Sequence, residues 1–157
     1  MPDRSLLLLL DEVRGKTLRL LQGVTEEEAR WAPPGLHNHI LWQAGHCFVL
    51  VECLTSEAVG GQPQLPETWF EMFGWESEPA RVPPSRWPPL SRVVRELDQQ
   101  HQRLHRTLSV STDDLLTAPS PATPNRTVRY AILHALHDEA CHGGEIWLLR
   151  KLLPMQK

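Results

Sequence analysis

The chain has 157 residues, 41% of them hydrophobic and 22% charged, which is the size and balance of one globular domain; residues 1–157 are read as a single unit. A formal net charge of -3 advertises no basic surface for nucleic acid or an anionic membrane. The leucine run from Leu6 to Leu10 falls well short of the about 20 apolar residues that a membrane span needs. No export signal is visible, so the expected compartment is the reducing cytoplasm and Cys47, Cys53 and Cys141 are expected to be free thiols.

In chain order, the first predicted helix carries Leu6, Leu9, Leu10, Val13, Thr17, Leu20, Leu21 and Val24 at helical spacing and stops near Gly23. Pro33-Pro34-Gly35 marks the loop after it. The second is predicted from an Asn38 N-cap to about Val59, before Gly60-Gly61. Between Ile40 and Leu54 only Gln43, His46 and Glu52 are clearly polar, so this helix belongs in the interior.

From Gly61 to Pro89 the prolines at 63, 66, 79, 83, 84, 88 and 89 forbid a long helix. Trp69, Phe70, Phe73, Trp75 and Trp87 in the same stretch argue for an ordered crossover with one short helical turn around Glu67 to Phe73. The third helix starts after Pro88-Pro89, with Leu90, Val93, Val94, Leu97, Leu104 and Leu108 on one stripe. A break at Pro119, Pro121 and Pro124 precedes the fourth, from Asn125 or Thr127 to Leu153. No stretch alternates as a strand does, and no solenoid repeat occurs. The expectation is an all-α four-helix bundle with a long Pro/Trp-rich crossover between helices 2 and 3.

His46 stands in the most apolar segment of the chain, where an imidazole must find a partner or pay roughly 1–3 kcal/mol for lost hydration. By itself it reads as a core histidine bonded to a carbonyl or hydroxyl. On the fourth helix, Asp138 and His142 are spaced i, i+4 and project from one face, with His134 and Glu145 a turn to either side. Bundles build metal sites from such pairs, completed from a facing helix. His46, Asp138 and His142 are the expected metal ligands. Two imidazoles and a carboxylate leave coordination positions open, as catalytic metal sites do. The competing reading is a solvated face with a helical Asp–His ion pair. Gly143 and Gly144, each costing about 1 kcal/mol in mid-helix, suggest close approach of another backbone or a ligand there.

His137, Glu139 and His142 imitate a protease HExxH motif but have the wrong spacing. No phosphate loop, dinucleotide fingerprint or nucleophile elbow is present. His101 occupies a core position of helix 3 and is read as a core or boundary histidine, with a pocket group as the sharper alternative. His105 and His137 are read as surface residues, and His37 and His39 as lining an entrance. Cys47 and Cys141 point about 100° away from their histidine neighbours and are not first-choice ligands.

The chain resembles the DinB superfamily from end to end. The resemblance is carried by LDEVRGKTLRLLQGVTEEEARWAPP, HILWQAGHCFVLVE, LPETWFEMFGWESEP, PPLSRVVRELDQQHQRLHRTL and TVRYAILHALHDEACHGGEIWLLR. The family pattern in the last helix reads roughly His-x3-His-x-Gly-Gln-Ile. Laid onto this chain, the helix-2 histidine is His46 and the last helix-4 histidine is His142. Asp138 stands at the first histidine and Glu145 at the glutamine, two departures from the pattern. Thiol-dependent branches of the family use a carboxylate at the first position; His134 is the alternative third ligand if Asp138 is too short.

The resemblance implies a divalent metal such as zinc or nickel, a homodimer, and metal-dependent transfer using a low-molecular-weight thiol. The partners would be a small thiol and an electrophile, with Glu145 as base or orienter of His142. A non-catalytic, metal-binding stress-response protein is the alternative, and the sequence leaves turnover itself open.

Overall fold

The computed structural model describes residues 2–153. Among these the chain is all-helical, with α1 (Arg4–Leu21), α2 (Glu26–Arg30), α3 (Ile40–Ala58), α4 (Trp69–Phe73), α5 (Leu90–Val110), α6 (Asp113–Thr117) and α7 (Val128–Leu152), and no strand. The long helices α1, α3, α5 and α7 pack as a helical bundle: α3 lies against α5 and α7, and α1 lies against the same two. Among the described residues no helix is long and apolar enough to cross a membrane.

Two boundaries differ from those the sequence predicts. The cap of α3 is His39, not Asn38: its Nδ1 accepts the Trp42 amide at 3.0 Å, and its ring is held edge-on to Trp87 with centroids 4.8 Å apart. The fourth long helix, α7, ends at Leu152, with Leu153 as its C-cap and Thr127 as its N-cap.

Two short helices were not predicted, because five residues are too few for an apolar period to register. The start of α2 is nonetheless written in the sequence as a capping box: Thr25 accepts the Glu28 amide, and the Glu28 carboxylate accepts the Thr25 amide. This helix also starts another. Glu26 Oε1 accepts the Leu90 backbone N–H at 2.8 Å, a service that the N-cap of α5, Pro89, has no side chain to provide. α6 is likewise opened by Thr112, which accepts the Leu115 amide.

The crossover is ordered, with α4 and two single turns of 3-10 helix at Pro79–Arg81 and Pro84–Arg86. Trp69, Met72, Phe73 and Trp87 from it are buried in the same core as Trp42, Phe48 and Leu97. Burial of such large rings outweighs the loop's lack of regular hydrogen bonding. Phe73 lies flat against the backbone of α3 at Gly45, where an added Cβ would stand 2.3 Å from its ring.

A buried polar network crosses the bundle and was not foreseen. Arg14 of α1 donates to both carboxylate oxygens of Glu139 of α7 (2.7 and 2.9 Å), to the Leu97 carbonyl (2.5 Å) and to Gln100 Oε1 (2.7 Å) of α5. Gln100 Nε2 reaches on to the Phe48 carbonyl and to Glu52 of α3 (3.0 and 2.7 Å), and Arg103 closes the chain on Glu52 at 2.9 Å. Arg14, Gln100 and Glu139 are fully buried.

Candidate metal centre

His46 is in the middle of α3 and only 4% exposed. Its Nδ1 is 2.6 Å from the Phe73 carbonyl oxygen. A carbonyl only accepts, so Nδ1 carries the proton and Nε2 keeps its lone pair. Trp42, one turn earlier, stacks on the ring with centroids 4.6 Å apart. Burial lowers the pKa of His46; the Phe73 hydrogen bond opposes that shift, His142 adds to it, and the charges of Asp138 and Glu145 oppose it again. The net shift is downward, so the ring is neutral near pH 7, the form that binds metals.

His142 of α7 meets His46 edge to face, ring centroids 4.5 Å apart. Its Nδ1 is 2.6 Å from Gln43 Oε1, and Gln43 Nε2 donates to Glu145 Oε2. A carboxylate only accepts, so the Gln43 amide must turn its nitrogen to Glu145 and its oxygen to His142. The relay Glu145–Gln43–His142 thereby places the His142 proton on Nδ1. Both rings present the same tautomer, and among the described residues neither Nε2 is engaged in a hydrogen bond. Gln43 belongs to the candidate centre by these bonds, although the sequence marks it only as polar. The available signal was its place three residues before His46, on the same face of an otherwise apolar helix.

Asp138 is one turn before His142, and its carboxylate stands beside two further histidines. It lies 3.4 Å from His134 Nε2 and 3.4 Å from His137 Nδ1. Among the described residues, the His, Cys, Asp and Glu donors that gather in a group able to hold a metal ion are those of His134, His137 and Asp138, all within 4.8 Å of one another. The structure thus brings His46 and His142 together and keeps Asp138 within electrostatic reach of His46, turned outward.

Other expectations are corrected. His101 is not a pocket group; its Nε2 bonds Asp11 of α1 at 2.8 Å. Gly143 and Gly144 mark no forced approach: a Cβ at the first would make ordinary contact with Leu20 and Thr17, and at the second would meet nothing within 4 Å. Cys47 and Cys53 are buried and Cys141 exposed, all three free. Burial raises the Cys47 thiol well above its ordinary value, the opposite of what a nucleophile or ligand needs.

The donor set fits a divalent cation. His46 and His142 each leave Nε2 outside any hydrogen bond among the described residues, with Nδ1 anchored on a carbonyl oxygen as in metal-bound histidines. The carboxylates of Asp138 and Glu145 supply compensating charge. The family model of the DinB superfamily matches residues 9–146, a span that holds His46, Asp138, His142 and Glu145. The chain belongs to the DinB superfamily. No curated protein matches it.

In this DinB chain Gln43 and Glu145 of the relay line a cavity of about 370 Å³, together with Leu36, Leu148, Leu149 and Leu152. That lies in the range of small-molecule sites, roughly 300–1,000 Å³. A neighbouring cavity of about 330 Å³ shares Leu36 and His37 with it and adds His39, Arg30 and Trp87. His37 lines both cavities and His39 the second.

Proposed function

We propose that this DinB protein binds one divalent ion, zinc or nickel, through His46, His142 and Asp138 inside a four-helix bundle, and transfers a low-molecular-weight thiol to an electrophile. The observation that carries the reading is the matched pair of imidazoles, 4.5 Å apart, each with Nδ1 committed and Nε2 free. Asp138 as third ligand asks its carboxylate to leave the side of His134 and His137. A divalent ion held there would lower the pKa of a thiol and keep it as a nucleophile.

The chain's own residues would do the rest. Gln43 holds His142 in register. Glu145 bonds Gln43 through Oε2 and keeps Oε1 free, half exposed at the cavity floor, to take the thiol proton. Leu36, Leu148 and Leu152 offer an apolar electrophile a wall that excludes water. Arg30, in the adjoining cavity, is the cation to which a carboxylate of the thiol would pair. The reading includes a homodimer in the cytoplasm, resting on the likeness to the family.

The second reading, a non-catalytic metal-binding stress-response protein, draws on one observation: among the described residues no Lys or Arg lines the cavity at the relay to hold an acidic thiol. Elemental analysis of the purified protein should find about one divalent ion per chain, lost in His46→Ala and in His142→Ala, since three ligands reduced to two leave too few. A thiol screen against a generic electrophile then separates the readings. Unchanged metal content in both variants would remove the proposal; metal without turnover for any thiol would leave the second reading.

A further inference from the structure

The carboxylate of Asp138 is turned outward to two exposed histidines, and the spacing there is not that of a hydrogen bond. His134 Nε2 and His137 Nδ1 each stand 3.4 Å from a different oxygen of Asp138. Good N–H···O bonds run about 2.7–3.2 Å. An ion with bonds of about 2.0–2.2 Å to nitrogen and oxygen instead sets neighbouring donors about 3.3–3.6 Å apart, and two different oxygens at that spacing suit a carboxylate that binds through both. One donor atom from each residue lies within 4.8 Å of the other two. The face is open, with the His134 and His137 side chains 41% and 71% exposed, so water can fill the remaining positions.

A second group of the same composition makes the contrast. Asp11 also meets two histidines spaced i, i+4, His101 and His105, but there the carboxylate is bonded to His101 at 2.8 Å and stands 3.7 Å from His105. Those donors do not close on a common point; the group is a hydrogen-bonded clamp between α1 and α5. At Asp138 neither nitrogen facing the carboxylate is hydrogen-bonded. Cys141 Sγ lies 3.9 Å from Nε2 of His137, on the other side of that ring, and is not part of the group.

We propose that His134, His137 and Asp138 form an outer position for a borderline divalent transition ion, such as zinc, nickel, cobalt or copper, on the exposed face of α7. It stands independently of the inner centre but shares Asp138 with it. A carboxylate oxygen committed to the outer ion is withdrawn from the inner centre, so the two positions compete for Asp138. Of the three outer residues, Asp138 lies one turn from His142 and His134 two turns.

The test is zinc titration of the full chain against a chromophoric chelator. In His46→Ala/His142→Ala a weaker zinc site should remain. Adding His134→Ala and His137→Ala to that variant should weaken it by more than about tenfold, the loss that even a group merely supporting a metal ligand can cause. Loss of all zinc binding in His46→Ala/His142→Ala, with the fold intact by circular dichroism, would overturn the outer position; so would indifference to the two added changes. Should the buried changes unfold the chain, the native protein decides: copper(II) added at a small fraction of the chain concentration should broaden the His134 and His137 imidazole resonances, and their survival overturns the proposal. Zinc retained in His46→Ala/His142→Ala at the native affinity would count against the inner centre instead, so the two failures are told apart.

Discussion

His39 and His46 are both buried imidazoles in α3 and its cap, yet they spend their nitrogens differently. His39 uses the Nδ1 lone pair to cap the helix, so it must stay unprotonated there. Burial and then the nearby Arg30 charge push its pKa down to about 4. In the unfolded chain it titrates near 6.5. As pH falls from about 6.5 to about 4 the unfolded chain takes up a proton that the folded one refuses, so stability falls across that window and levels off below it. The loss approaches roughly 3 kcal/mol if His39 alone is counted. His39→Asn keeps a capping side chain and should flatten this slope; urea unfolding at pH 7 and pH 5 measures it, and an unchanged slope refutes the assignment. His46 shifts the same way and contributes in both proteins. A second residue-scale prediction concerns Gln43. Gln43→Leu deprives His142 of its Nδ1 acceptor and should weaken metal binding about 10- to 100-fold. In the metal-free protein, nitrogen NMR should show His142 losing its pure Nδ1–H form while His46, held by the Phe73 carbonyl, keeps its own.

The glycines show what a helix discloses in its sequence and what it hides. Gly143 and Gly144 draw attention by their rarity in mid-helix, and Gly45 does not, yet the structure reverses the order. Gly45→Ala would put a methyl 2.3 Å from the Phe73 ring. It should cost about 1–3 kcal/mol by overpacking and drag the Phe73 carbonyl away from His46, reducing metal affinity as well. Gly144→Ala meets nothing within 4 Å and should stabilise α7 by about 0.5–1 kcal/mol. Thermal melts of the two variants should move in opposite directions; a destabilising Gly144→Ala would mean that this face of α7 is covered in solution. The long helices were legible because burial of one stripe repeats over many turns. Whether a given glycine faces a ring or water depends on a loop arriving from 28 residues later (Gly45 to Phe73), which no periodicity records. The same limit applies to the site. That His46 and His142 would meet was readable from a histidine inside the most apolar helix and a polar face on the last one, whereas the placement of the Asp138 carboxylate beside His134 and His137 is a choice of rotamer that spacing leaves open.

At the scale of the whole molecule, the imidazole pair spans two helices and the buried charge network reaches all four long ones. His46 and His142 join α3 to α7 from within, while Arg14, Glu139, Gln100, Glu52 and Arg103 tie all four long helices together. This network had a signal in the sequence: Arg14 falls on the α1 stripe between Leu10 and Thr17, and Glu139 on the α7 stripe between Leu136 and Gly143, two opposite charges where apolar residues belong. A surface helix also carries such residues at its margins, which is why one charge on one stripe decides nothing. In the interior each carries a large desolvation cost that only its partner offsets. Arg14→Met should therefore destabilise the fold by about 3–5 kcal/mol, because Glu139 is left buried and uncompensated. Its remaining hydrogen bond from Thr17, at 2.8 Å, carries no charge. Glu139→Leu should cost a similar amount by stranding Arg14. The double variant should be far less damaged than the sum of the two, since an apolar pair of similar volume tolerates burial. Urea unfolding of the four proteins supplies the cycle. Additive losses would mean that the pair is not the unit holding α1 to α7; strong recovery in the double variant, with metal content unchanged, would show that the network orients the helices while the His46–His142 centre is built independently upon them.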